Sequence, residues 1–127
     1  MKTAYLDVDK DWGVIVVFDY NILHYDELAA IMETFKMSKR SINKALRILS
    51  EPNTGMSVSR EDLRMSAVFI SQATTNAQFW DTAAHELAHV VTHIIDYYGV
   101  GYDTEDAAYL TGYLMKELVE EVGEPCY

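Results

Sequence analysis

Residues 85 to 93 read HELAHVVTH and hold three of the four histidines in a chain of 127 residues. On a helix turning about 100° per residue, with His85 at zero, His89 falls near 40°, His93 near 80° and Glu86 near 100°. Thr92 falls near −20° and Asp96 near 20° on the same wheel. Histidines at i and i+4 stand one turn apart on one side, so two imidazoles can converge on a single Zn²⁺ at about 2.0–2.1 Å. Glu86 is rotated enough to miss the metal and to act on water beside it. The chemistry this spacing suits is activation of water against a polarised carbonyl, with Glu86 as general base. A merely solvated face is usually Lys, Glu, Arg and Gln, whereas this one carries His, Glu, His, Thr, His and Asp. Trp80, Ala84, Leu87, Val91, Ile94 and Ile95 gather on the opposite side and give the helix an apolar face to bury.

The elements that must hold this face follow from pattern. KTAYLDV and the β-branched WGVIVVFDY read as two strands joined by a polar turn, the second apolar enough to be covered on both faces. YDELAAIMETFKM places Leu28, Ile31, Met32 and Phe35 on one stripe, and Ser38 caps a second helix with Ile42, Ala45, Leu46 and Leu49 on another. Pro52 and Gly55 end that helix. MSVSREDLRMSAVFISQA reads as a hairpin, TTN supplies caps for a long helix from about Gln78 to Tyr98, and YYGVGYDT breaks it. Thr104 caps a last helix with Leu110, Leu114 and Leu118 on its stripe. The expectation is one α+β domain over residues 1–127, in the order β-β-α-α-β-β-α-α, with a short antiparallel or mixed sheet packed on helices.

Composition narrows the partners. A formal charge of −10 disfavours nucleic acid and anionic membranes, and KMSKR is the only dense basic stretch. No apolar run approaches the roughly 20 residues that span a bilayer, and the first residues lack the apolar core of a signal peptide. With a single cysteine, Cys126, no internal disulfide forms, and a cytoplasmic protein is expected.

A catalytic zinc usually takes three protein ligands and leaves one position open. Past the helix break, GYDTEDAAYLTGYL resembles the glutamate helix of the gluzincin branch of zincin metallopeptidases, in which E-x-x-A follows H-E-x-x-H. The likeness covers about residues 65 to 118 and is shared with ImmA-like peptidases. It implies a minimal zincin-like fold and a zinc-dependent peptidase acting on a peptide or protein substrate. His85, His89 and Glu105 would hold the metal, Ala108 would let the helices approach, and Glu86 would be catalytic. Asp106, with Tyr109 three residues on, is the alternative third ligand. Tyr109 and Tyr102 are candidates for the oxyanion, and His93 and Asp96 for supporting contacts. The strand RMSAVFISQ would form the cleft rim in such a fold, although an ordinary internal strand fits it nearly as well. The metzincin extension is absent, since Thr92 and Ile95 stand where it needs Gly and His, and no histidine follows His93 as SprT-like proteases require. Cys126 near the tail is a candidate latent fourth ligand, with an inert cysteine the plainer reading. Three rivals accompany the peptidase: a catalytically silent zinc-binding module, a partner-binding protein with incidental histidines, and a hydrolase of other carbonyl compounds.

Overall fold

WGVIVVF is nearly continuous in apolar residues because helices cover both faces of its strand. The computed structural model describes residues 1–8, 11–99 and 105–127. Strand β1 (Lys2–Val8) pairs antiparallel with β2 (Trp12–Phe18), and a short 3-10 turn at Ile22–His24 leads into α1 (Tyr25–Thr34) and α2 (Lys39–Leu49). The chain returns through β3 (Gly55–Arg60) and β4 (Met65–Ile70), then continues in α3 (Asn76–Tyr98) and α4 (Glu105–Val122). The sheet order is β1-β2-β4-β3; β2 and β4 run parallel, and the other neighbours antiparallel. The α+β class and the expected element order are both present.

Side chains alternate across the strands and so feed two cores. Val14, Val16, Phe18, Val68 and Ile70 meet Phe79, Leu87, Val91 and Ile94 of α3 and Leu114 and Leu118 of α4. On the other face Val17, Ala67 and Phe69 meet Leu28 and Met32 of α1 and Ile42, Ala45 and Leu49 of α2. Fully burying a side chain of this kind contributes about 1.5–3 kcal/mol, so each helix pair is held by its own stripe. No described helix is long and apolar enough to cross a membrane.

Local chemistry sets the ends. β2 stops at Phe18, short of the expected Tyr20, because Asp19 takes a positive φ of 53° that turns the chain out of the strand. Helix α1 stops at Thr34 rather than at Met37, and Lys36 at φ 59° completes the turn. α3 starts at Asn76, two residues before the expected Gln78, with Thr75 as its cap accepting from the Gln78 amide, and Gly99 ends it in the left-handed conformation. Thr104 lies outside the described residues. Ser38 caps α2 as expected, its Oγ accepting from the Ser41 amide at 3.1 Å. Ser38→Ala is expected to lower stability by about 1 kcal/mol, read as a lower urea midpoint at unchanged slope. An unmoved midpoint would remove the cap from the account.

Candidate metal centre

One side of helix α3 packs on β3 and β4 while another receives α4. The histidine-bearing side lies along β3, the edge strand. Gly55, Met56 and Ser57 of β3 line an open groove of about 390 Å³ with His85, Glu86, His89 and His93. His85 and His89 are exposed. Their Nε2 atoms approach to 3.3 Å, with the rings edge to face.

That separation tests whether the pair fits zinc. Two nitrogens each about 2.0–2.1 Å from a tetrahedral ion lie about 3.3–3.4 Å apart. His85 and His89 meet this requirement. A shared N–H···N hydrogen bond has a similar length. Glu86, expected on the ionisable face, is 5% exposed and folded under the pair, its Oε1 3.9 Å from His85 Nε2. A carboxylate is rarely buried without a partner of opposite charge, and a cation held by both imidazoles is such a partner.

The burial of Glu86 depends on Gly55. A Cβ at that position would sit 2.8 Å from Glu86 Cγ and from Thr82 Cγ2, and 3.1 Å from the Phe69 carbonyl oxygen. Absence of a side chain on β3 is what admits the glutamate between helix and sheet. Sequence alone marked Gly55 only as a helix breaker.

His93 is half-buried, and its Nδ1 lies 2.6 Å from Ser59 Oγ. Burial and the neighbouring His89 hold its pKa below the ordinary histidine range, against the opposing pull of Asp96 and Glu61. Asp96 is exposed on the next turn of α3 and acts on His93 through this charge interaction.

Glu105 is exposed in the first turn of α4, and α4 packs on α3 and on β1, the strand at the opposite edge of the sheet from β3. It does not line the histidine groove. Among the described residues no group of three or more His, Cys, Asp or Glu is gathered as a metal cage. Asp106 and Tyr109 line a different groove with Val8, Ile95 and Tyr98. Tyr102 lies outside the described residues. Cys126 sits near Lys2, Phe18 and Asp19 rather than against the histidines. RMSAVFISQ, residues 64–72, read either as the rim or as an ordinary internal strand, holds the interior strand β4, paired on both sides, and β3 takes the edge. His24, given no role from sequence, accepts the Asn21 amide through Nδ1 and helps cap the 3-10 turn.

No protein-family model, curated protein or solved structure matches this chain.

Proposed function

We propose that the chain is a zinc-dependent hydrolase of peptide bonds in which His85 and His89 hold the metal and Glu86 is the general base. The observation that carries this is the 3.3 Å approach of the two Nε2 atoms above a buried glutamate. When bound, zinc lowers the pKa of water towards about 7 and polarises a carbonyl. The Glu86 carboxylate takes the proton released as water attacks the scissile carbon and returns it to the departing amine nitrogen. Packing between Gly55 and Thr82 restricts the Glu86 side chain to a narrow range of positions, so little order has to be imposed on binding. β3, the edge strand of the sheet among the described residues, runs beside the groove, where an extended peptide can add through main-chain hydrogen bonds.

The motif offers Glu105 as third ligand, and its position on α4 lends that assignment no geometric support. This favours one second reading, a zinc-binding module without turnover on the same pair of histidines. Metal analysis of protein purified without chelator or histidine tag is expected to give stoichiometric zinc. His89→Ala is expected to lose it while remaining folded, since the ring is exposed. Zinc retained by His89→Ala, or absent from the parent protein, would end both readings. Cleavage of a peptide mixture by the zinc-loaded protein separates the hydrolase from the silent module.

A further inference from the structure

A line of hydrogen bonds runs across the sheet from the core to the groove. Trp12 of β2 donates from Nε1 to Ser66 Oγ of β4 at 2.9 Å. Ser66 Oγ lies 2.7 Å from Ser59 Oγ of β3, and Ser59 Oγ lies 2.6 Å from His93 Nδ1 of α3. Ser59 and Ser66 are register partners, so both hydroxyls project to the α3 face. Trp12 and Ser66 are buried.

Proton counting and the short Ser59–His93 distance together give the direction of this line. An indole N–H only donates, and each serine hydroxyl has one proton to give. Ser66 accepts from Trp12, and among the described contacts Ser59 Oγ is what its own proton can reach. Ser59 can then either accept a second time, from a protonated Nδ1, or give its own proton to a bare Nδ1. The 2.6 Å separation, shorter than an N–H···O bond ordinarily is and within the range of O–H donors, favours the second. In the opposite direction His93 Nδ1–H would donate to Ser59 and Ser59 to Ser66. That would leave the Ser66 proton unpaired where water does not reach.

We propose that Trp12, Ser66 and Ser59 are positioning residues that hold His93 as its Nε2–H tautomer, a neutral hydrogen-bond donor for a carbonyl oxygen in the His85–His89 groove. A ring nitrogen that carries a proton does not ligate a metal, so His93 is excluded as the third ligand. The identity of the bound oxygen, a peptide carbonyl, rests on the function proposed above; the tautomer does not.

Nitrogen NMR of histidine-labelled protein reads the tautomer directly. In the parent chain at neutral pH, with or without added zinc, His93 is expected to be protonated at Nε2 and bare at Nδ1. Ser59→Ala is expected to release the ring into a mixture of tautomers, and Ser59→Thr, which keeps the hydroxyl on a strand, is expected to retain the parent spectrum. A proton on Nδ1 in the parent, or an unchanged spectrum in Ser59→Ala, would overturn the relay. With a peptide mixture as substrate, His93→Ala is expected to lower kcat by about 10²-fold, and an unchanged kcat would overturn the donor role. The expected spectrum in a zinc-loaded protein that cleaves no peptide would instead refute the peptidase and leave the tautomer standing.

Discussion

Glu86→Gln is expected to lower peptide hydrolysis by about 10²–10⁴-fold while zinc content stays at the parent level. The amide has nearly the volume of the carboxylate, so the side chain still fits between Gly55 and Thr82. What it lacks is a basic oxygen to receive a proton. Burying a carboxylate costs stability that an amide does not, so the variant is expected to melt no lower than the parent. Lost activity with retained metal and retained stability places the defect in proton transfer and nowhere else. A silent zinc module would show no activity in either protein. Parent and variant cleaving the peptide equally well would remove Glu86 from the chemistry.

The elements were legible because each carries its own local signal. The stripes of α1 and α2, the caps at Ser38 and Thr75 and the glycine at the end of α3 depend on neighbours a few residues away. The site was legible only as far as it is local. His85 and His89 share a helix, and a one-turn spacing brings their rings together wherever that helix packs. Glu86 shows the limit. The wheel places it near 100°, at the border of the ionisable face, and what makes that border interior is β3 lying alongside. Sheet order decides this, and no window of sequence contains it. The choice between rim and internal strand was open for the same reason: both strands of the hairpin alternate suitably, and the pairing of β2 with β4 makes β4 the internal one and leaves β3 at the edge. Ser59, Ser66 and Trp12 read separately as two strand serines and an aromatic. Only register across three strands makes them one line of hydrogen bonds. The helix separation needed to bring Glu105 to the histidines is likewise a tertiary quantity, which E-x-x-A spacing leaves open.

Gly55→Ala is expected to damage the site more than the fold. The added methyl meets three neighbours, and they differ in how easily they yield. The Phe69 carbonyl belongs to β4, which is hydrogen-bonded on both sides, and the Thr82 methyl is on a β-branched side chain of α3, stiff about its first torsion. Glu86 has the softer torsions, so most of the relaxation falls on its side chain and swings the carboxylate out from beneath the histidine pair. Overpacking of this kind costs about 1–3 kcal/mol, visible as a lower melting temperature. Activity is expected to fall further than that destabilisation implies, because a displaced general base no longer reaches the attacking water. Thr82→Ser provides the control, since it deletes the Cγ2 methyl that is one of the two closest contacts. Combined with Gly55→Ala, it is expected to restore part of the lost stability and part of the lost hydrolysis. If Gly55→Ala alone melts and cleaves like the parent, strand and helix have room for the methyl, and the glycine is no floor for Glu86.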